Sequence, residues 1–172
     1  KLSDFKDKWI VFFSYPSDFS PVCTSELIAL SKSYPNFRNI NTELIGLSVD
    51  GINSHLAYLH DIYAKTGTLI RFPIIADLSG IIARQYGMIS NEISTTSTVR
   101  NIFIIDNKGI IRAIFIYPMS VGRYIPEILR TVNALQYNDK NTSMTPANWI
   151  PGNPMIAPPP RTFKEFQEKD KK

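Results

Sequence analysis

Cysteine and histidine are scarce in this sequence of 172 residues. There is one cysteine, Cys23, and there are two histidines, His55 and His60. A single cysteine excludes an internal disulfide framework and any multi-cysteine zinc or iron–sulfur site within these residues. The two histidines are separated by about 140° around a helix, so they do not share a face as paired metal ligands would. We therefore expect no metal, and we expect both histidines at surface or cap positions of a helix.

Long apolar runs and a strong charge of one sign are also missing. No segment approaches the roughly 18 apolar residues of a membrane-spanning helix, and the start of the chain lacks the apolar region of a secretory signal. The 19 Lys and Arg residues against 15 Asp and Glu residues give a formal charge of +4. This mild excess is concentrated only at residues 169–172, which argues against nucleic acid as the main partner. We expect a cytoplasmic protein with neither a membrane nor a nucleic-acid partner; Lys1 is not Met, which allows for a leader or a first structural element before it.

Apolar, β-favouring runs alternate with amphipathic segments in the first half of the chain. Buried strands are predicted at residues 9–13 and 44–49, and a third, short strand is predicted at 72–77. Helices are predicted at 24–36, at about 53–65 and at 79–86. Pro35 is expected to break the first helix, Asn53 and Ser54 to cap the second, and Gly67 to end it.

The second half of the chain begins with the strongest hairpin signal. Two β-rich runs, residues 100–105 and 110–117, flank a turn that contains Asn107 and Gly109. A helix over about 124–135 follows. Strands that alternate with helices and end in an antiparallel hairpin imply a three-layer α/β domain with a mixed sheet, of the thioredoxin-like kind. We assign residues 1–138 to this domain.

Residues 139–172 differ in composition. Half of the chain's 12 prolines fall between Pro146 and Pro160, and regular periodicity disappears until a charged, helix-like end at 163–172. The segment also contains apolar residues that a freely solvated linker would lack: Met144, Trp149, Ile150, Met155 and Ile156. We expect this C-terminal arm to lie on its own domain or on a second subunit; a proline-rich recognition peptide is the alternative.

Cys23 stands where a reactive group would be expected. It falls in the first turn of a predicted helix, just beyond the carboxyl end of a buried strand, where sites form in open α/β sheets. Free N–H groups and the helix dipole at such a terminus favour thiolate over thiol. Ser20 can direct its hydroxyl toward the same point. A nucleophile of this kind needs a cationic partner, and arginine must supply it because no histidine is near in sequence.

The residues around Cys23 resemble the active-site signature of the peroxiredoxin family. The pattern Pro16-x-x-x-Ser20-x-x-Cys23, followed by Thr24-x-Glu26, carries the likeness. Further blocks at 45–50, 72–77, 99–106 and 117–130 are similar to successive peroxiredoxin blocks. Segments 145–149 and 156–159 resemble the arm of the one-cysteine, six-type subfamily and its archaeal and bacterial relatives. The likeness covers roughly nine-tenths of the chain.

The resemblance implies a role for each matching residue at the active site. Cys23 would attack the terminal oxygen of a peroxide and become a sulfenic acid. Arg100 would stabilise the thiolate and the negative charge that O–O cleavage builds up. Ser20 would hydrogen-bond the peroxide oxygens, and Pro16 would shield the site from water.

Two further residues would support this site. Glu26 would orient an arginine, and Arg123 would support the residues that contact the peroxide. The resemblance implies a thiol peroxidase without metal or cofactor, reduced by an external thioredoxin-, glutaredoxin- or glutathione-like thiol and paired as a homodimer or higher oligomer through residues 110–117. Two alternatives stay open: a two-cysteine enzyme whose resolving cysteine lies outside these residues, and a non-catalytic thioredoxin-fold holdase or binding protein.

Overall fold

The computed structural model describes residues 1–169, so the last part of the helical end predicted at 163–172 lies outside the described residues. A central sheet is formed by β1 (Trp9–Ser14), β2 (Thr42–Ser48), β3 (Ile74–Ala76), β4 (Arg100–Ile105) and β5 (Ile111–Tyr117). The helices are α1 (Pro21–Asn39), α2 (Ile52–Thr66), α3 (Ile81–Gln85), α4 (Ile125–Asn141) and α5 (Phe163–Lys169). A short 3₁₀ helix, Leu2–Phe5, precedes β1.

The sheet is mixed, as predicted. Its strand order is β3-β2-β1-β4-β5. Strand β1 pairs in parallel with β2, and β2 pairs in parallel with β3. The other pairs, β1 with β4 and β4 with β5, are antiparallel, so the predicted hairpin is confirmed. Every residue of β1, β2 and β4 is buried, whereas β5 forms an edge of the sheet with its side chains partly or largely exposed.

Helices cover both faces of the sheet, which gives the predicted thioredoxin-like α/β architecture. The parallel connections β1-α1-β2 and β2-α2-β3 run in the same direction, so right-handed crossovers place α1 and α2 on one face. On that face, the rings of Phe13 and Tyr34 both contact Phe72. The opposite face packs Ile10 and Phe12 in one cluster with Ala83 of α3. Successive side chains of β1 therefore point to opposite faces of the sheet, as strand geometry requires.

Helix α1 corrects the sequence prediction at both ends. It begins at Pro21 and continues through Pro35 to Asn39. Pro35 does not break it, because a proline costs the helix one N–H donor while Tyr34 and Phe37 on either side are both buried. The hydrophobic stripe therefore outweighs the local cost. The start at Pro21 fits the preference of proline for the first helical position.

The other helices differ from the prediction only at their ends. Gly51, rather than Asn53 or Ser54, is the N-cap residue of α2, while Gly67 ends the helix in a left-handed conformation as predicted. Helix α4 runs six residues beyond its predicted end at 135. Its last turns lack an apolar stripe, but the ring of Tyr137 packs against that of Trp149 at 5.4 Å. None of the helices in residues 1–169 is both long and apolar enough to cross a membrane.

The chain forms two compact units, Lys1–Pro126 and a second that begins at Glu127. In the second unit, Trp149 is buried, its indole donates a hydrogen bond to the Asn153 carbonyl at 3.0 Å, and its own carbonyl accepts one from Arg130 at 3.2 Å. An isolated antiparallel bridge joins Met144 to Ile156. The segment is therefore folded on itself rather than extended. The functional limits 1–138 and 139–172 stay predictions.

Candidate active site

Cys23 is the third residue of α1 and is fully buried, with a relative exposure of 0%. Ser20 is the N-cap residue with an extended backbone, and the amide of Thr24 donates to its carbonyl at 2.9 Å. The backbone amide of Cys23 lies one residue before Thr24, so it is one of the N-terminal amides that have no acceptor within the helix. The sulfur therefore lies at the positive end of the helix dipole, which stabilises an anion.

Arg100 connects the sulfur to a carboxylate. Its Nη1 atom lies 3.4 Å from Sγ of Cys23 and 2.7 Å from Oε2 of Glu26. Its Nε atom donates to the carbonyl of Met119 at 2.9 Å. The side chain is 1% exposed. Arg100 is the first residue of β4, so the sheet sets the position from which its guanidinium reaches the helix.

Arg123 holds the other side of the same carboxylate. Its Nε and Nη2 atoms donate to the two oxygens of Glu26 at 2.8 and 2.6 Å, and its backbone amide donates at 2.8 Å. Its Nη1 atom reaches the carbonyls of Ser14 and Asn101. The guanidinium also lies over the ring of Phe13 at 5.0 Å. A forked pair of this kind fixes Glu26 in one orientation.

The charges in this group do not balance without the sulfur. Arg100 and Arg123 contribute two positive charges, and Glu26 contributes one negative charge in a site where all three side chains are buried. A thiolate on Cys23 makes the group neutral, whereas a thiol leaves an excess positive charge away from water. Charges interact strongly where water is excluded, so the two arginines supply a positive potential at the sulfur.

A second buried polar group, which we call the Asp18 cluster, comprises Tyr15, Asp18, Ser54 and His55. The carboxylate of Asp18 accepts hydrogen bonds from the Tyr15 hydroxyl at 2.9 Å and the Ser54 hydroxyl at 2.7 Å. Nδ1 of His55 lies 2.9 Å from Oδ2 of Asp18, and both side chains are almost fully buried. The prediction that His55 lies at the surface or a cap is wrong; His60 is exposed.

The cluster shifts the titration of its members. Burial alone would lower the pKa of His55, but the hydrogen bond with Asp18 and the charge of Asp18, together with the Ile75 carbonyl and the charge of Asp50, raise it. For Asp18, burial alone would raise the pKa, yet the hydrogen bonds from His55, Ser54 and Tyr15 lower it. Burial, together with the Asp18 charge, raises the pKa of Tyr15 well above its usual range. Both shifts extend the pH range over which His55 and Asp18 carry opposite charges.

Helix α2 also reaches the turn that holds Cys23. The hydroxyls of Thr24 and Tyr58 lie 2.8 Å apart, and burial raises the pKa of Tyr58 to about 12. Sequence reasoning missed Tyr58 and His55. A signal was present, because His55, Tyr58 and Ile62 share the buried stripe of α2 at helical spacing. A polar residue on such a stripe points inward.

The six site residues predicted from the sequence thus fall into two groups. Cys23, Arg100, Glu26 and Arg123 are joined by direct contacts. Pro16 is buried in the loop between β1 and α1, and Ser20 is partly exposed and makes no side-chain hydrogen bond as a cap. The roles of all six residues stay predictions. Among residues 1–169, no three His, Cys, Asp or Glu side chains are grouped so that they could hold a metal ion.

Comparison with known proteins relates this geometry to a family. The chain is 52% identical over 169 residues to "Peroxiredoxin 2" of Caldanaerobacter subterraneus subsp. tengcongensis, which covers 98% of this chain and 76% of that protein. The sequence model of the AhpC/TSA family matches residues 1–114. The chain belongs to the peroxiredoxin family. Peroxiredoxins are thiol peroxidases, and this peroxiredoxin is accordingly an oxidoreductase.

An archaeal relative matches this peroxiredoxin as well, and the arm has a match of its own. The peroxiredoxin of Hyperthermus butylicus is 48% identical over 177 residues, with 100% of this chain and 76% of that protein covered. Residues 134–171 match the C-terminal domain of 1-Cys peroxiredoxin. That match corresponds to the resemblance seen in the arm sequence, and a single cysteine fits the one-cysteine type.

Solved structures give the same fold for this peroxiredoxin. A cysteine-to-serine mutant of the peroxiredoxin 6 of Arenicola marina superposes with a TM-score of 0.89 at 31% identity, with 98% of this chain and 80% of that chain covered. A yeast mitochondrial 1-Cys peroxiredoxin superposes with a TM-score of 0.85 at 39% identity, with 97% and 82% covered. The thioredoxin-like peroxiredoxin fold predicted from the sequence is confirmed.

Proposed function

We propose that this peroxiredoxin reduces hydrogen peroxide and alkyl hydroperoxides by a one-cysteine cycle. The observation that carries the proposal is the contact between Cys23, the sole cysteine in the sequence, and Arg100 within a buried, positively charged group. The Cys23 thiolate attacks the terminal oxygen of the peroxide. An S–O bond forms as the O–O bond breaks, and the leaving oxygen takes a proton and departs as water or an alcohol.

The other site residues have distinct roles in this step. Arg100 stabilises both the thiolate and the charge that develops on the leaving oxygen. Ser20 hydrogen-bonds the peroxide oxygens, and Pro16 excludes water from the sulfur. Glu26 acts as a positioning residue for Arg100, and Arg123 holds Glu26.

An external thiol completes the cycle. It attacks the sulfenic sulfur, which releases water and leaves a mixed disulfide, and a second thiol then restores Cys23 and departs as a disulfide. The yeast mitochondrial 1-Cys peroxiredoxin is described as resolved through glutathione and thioredoxin systems, so a thioredoxin-, glutaredoxin- or glutathione-like thiol is the reductant we assign here. An unpaired reactive thiol suits a reducing compartment, and we assign the protein to the cytoplasm.

Intact-mass spectrometry after one equivalent of peroxide tests this cycle. A gain of one or two oxygen atoms, located on Cys23 by peptide mapping, supports it. A disulfide formed with a cysteine outside residues 1–172 in the full-length product would replace it with the two-cysteine cycle. An unchanged mass, with peroxide left unconsumed, would favour a holdase or binding protein that has kept the motif without turnover.

We also propose that the protein pairs with a second copy through β5. Strand β5 is an edge strand with one unpaired row of backbone groups, and Ile111, Ile114 and Ile116 on it are 45%, 54% and 69% exposed. An apolar edge of this kind invites aggregation when it is left open. Pairing across a two-fold axis satisfies the backbone groups and covers the isoleucines. Arm residues Ile150 and Ile156 are exposed too and would be covered by the same partner.

A further inference from the structure

Helix α2 holds the segment around Cys23 at two points. Before the cysteine, Asp18 bonds to Ser54 and His55 in the first turn of α2. After it, Thr24 bonds to the hydroxyl of Tyr58, one turn further along the same helix. The catalytic cysteine therefore lies on a short stretch of chain whose two ends are fastened to one rigid element.

The loop at residues 15–20 has a strained backbone that needs contacts to hold it in place. Phe19 has a φ of 57°, a left-handed conformation that a bulky residue adopts only when its surroundings enforce it. Phe19 directly follows Asp18 and directly precedes Ser20. The residue is 55% exposed, but its ring packs against that of Tyr58 on α2 with the centroids 5.0 Å apart, so α2 contributes to holding this conformation. The neighbouring buried contact is the ion pair of Asp18 with His55.

The groups that face His55 come from three elements. Asp18 and the Tyr15 hydroxyl face it from the loop. Asp50, just beyond the end of β2, accepts a hydrogen bond from the backbone amide of Asp18 at 2.9 Å and adds a second negative charge. Nε2 of His55 lies 3.4 Å from the carbonyl of Ile75 on β3. The raised pKa of His55 and the lowered pKa of Asp18 agree with this geometry. A protonated His55 is thus the positive group among the carboxylates of Asp18 and Asp50.

We propose that His55 is a positioning residue for the peroxidase reaction, and that its ion pair with Asp18 fixes the loop that carries Pro16 and Ser20 over the sulfur of Cys23. This inference rests on the proposed function. Neither Asp18 nor His55 contacts the sulfur in the described part of the chain, so the pair acts through the loop. Its loss should leave the contact between Arg100 and Cys23 in place.

Two consequences of loosening the loop have opposite signs. The rate constant for peroxide should fall, because Pro16 and Ser20 no longer hold their positions; a displacement of about 1 Å at a reacting centre costs on the order of a hundredfold. The rate of alkylation of Cys23 by iodoacetamide should rise, because the fully buried sulfur becomes accessible. A variant that only perturbs the sulfur would move both rates in the same direction.

The variants are His55→Asn and Asp18→Asn, each of which keeps a hydrogen-bonding side chain but removes one charge, and the double variant. His60→Asn is the matched control, since His60 is an exposed histidine on the same helix. Ile62→Ala is a control for lost stability, because it makes a cavity on the buried stripe of α2 away from the loop. Peroxide and alkylation rates are measured for each protein from pH 5 to pH 9.

We expect both single variants to lose about tenfold to a hundredfold in peroxide rate and to gain in alkylation rate. The double variant should lose little more than either single variant, because the two residues act as one unit. The wild-type peroxide rate should fall on the alkaline side as His55 loses its proton, and this limb should be missing in His55→Asn. His60→Asn and Ile62→Ala should keep the wild-type pH profile.

Nuclear magnetic resonance supplies a readout that needs no turnover. With two histidines in the sequence, the Cε1 proton of His55 is identified by its absence in His55→Asn. Its titration should lie above the ordinary value of about 6.5 and move down in Asp18→Asn. An unmoved titration, or wild-type rates and profiles in both single variants, would overturn the inference. A wild-type protein that consumes no peroxide would contradict the proposed function instead. The alkylation and resonance measurements would then show on their own whether the Asp18–His55 pair fixes the loop.

Discussion

The Nη1 atom of Arg100 lies 3.4 Å from the sulfur of Cys23, although the two residues are 77 positions apart in the sequence. Strand β4 supplies one residue and the first turn of α1 supplies the other. Glu26 accepts a hydrogen bond from the same Nη1 atom. A long-range contact that the central sheet makes possible therefore brings a guanidinium to the cysteine.

Replacement of Cys23 by serine should abolish peroxide consumption and leave the fold intact. A serine hydroxyl is not ionised near neutral pH and does not attack an O–O bond at a useful rate. Peroxide decay in the presence of excess thiol reductant measures the activity, and circular dichroism checks the fold. Turnover that persists in a folded Cys23→Ser protein would remove the basis of the proposed cycle.

Arg100→Met should reduce the fraction of Cys23 present as thiolate and lower the rate constant for peroxide by on the order of a hundredfold. Methionine keeps much of the apolar stem but removes the charge and the donors. Thiolate absorbance at 240 nm, followed against pH, gives the first quantity, and stopped-flow kinetics give the second. The matched control is Arg71→Met at an exposed position. Equal values for both variants and wild type would place Arg100 outside the chemistry.

Glu26→Gln should destabilise the protein by about 3 to 5 kcal/mol, because it leaves two buried guanidinium groups without their counter-charge. The carboxylate is 2% exposed and accepts four hydrogen bonds, three from Arg123 and one from Arg100. Urea unfolding measures the change, with the exposed Glu92→Gln as control. A loss no larger than that of the control would mean that the amide satisfies both arginines.

The Asp18–His55 pair should stabilise the fold most between about pH 4 and pH 6.5. The pKa of Asp18 is lowered in the folded state, so its contribution is present above the unfolded value of about 3.9 and is lost as pH falls through the folded value. The pKa of His55 is raised, so its contribution is full below about 6.5 and is lost as pH rises through the folded value. Both contributions are at their full value only within that window.

Urea unfolding of the wild type and of the double variant Asp18→Asn/His55→Asn, at half-unit steps from pH 3 to pH 9, checks this window. The difference between the two unfolding free energies isolates the pair from the other titrating groups. It should be largest inside the window and shrink on both sides. A difference that does not change with pH would show that the pair contributes through packing alone.

The intact chain should sediment as a dimer or larger at micromolar concentration, and Ile116→Lys should weaken the association at least about tenfold. The substitution places a positive charge on the exposed edge strand, where two copies would bring like charges together. Ile93→Lys, at a comparably exposed isoleucine outside the strand, is the control. A monomer for the intact chain in sedimentation equilibrium would contradict the pairing through β5.

The sequence by itself determined the elements and the place of Cys23 at the start of a helix. Buried strands showed as short apolar runs, the hairpin as two such runs around Asn107 and Gly109, and Cys23 as a cysteine in the first turn of a helix. These features are local, because strand period, turn chemistry and helix termini depend on residues close together in the chain. The ordered motif from Pro16 to Glu26 indicated the family.

The tertiary structure alone decided which polar groups are paired. Pro35 reads locally as the end of a helix, yet the helix continues because Tyr34 and Phe37 are buried on either side. His55 reads as a surface histidine, yet it is buried because Asp18, 37 positions earlier, supplies a counter-charge. Burial of a charge is favourable only when a partner arrives from elsewhere in the fold. No local pattern contains that partner, so only the packing of α2 against the loop could reveal the pair.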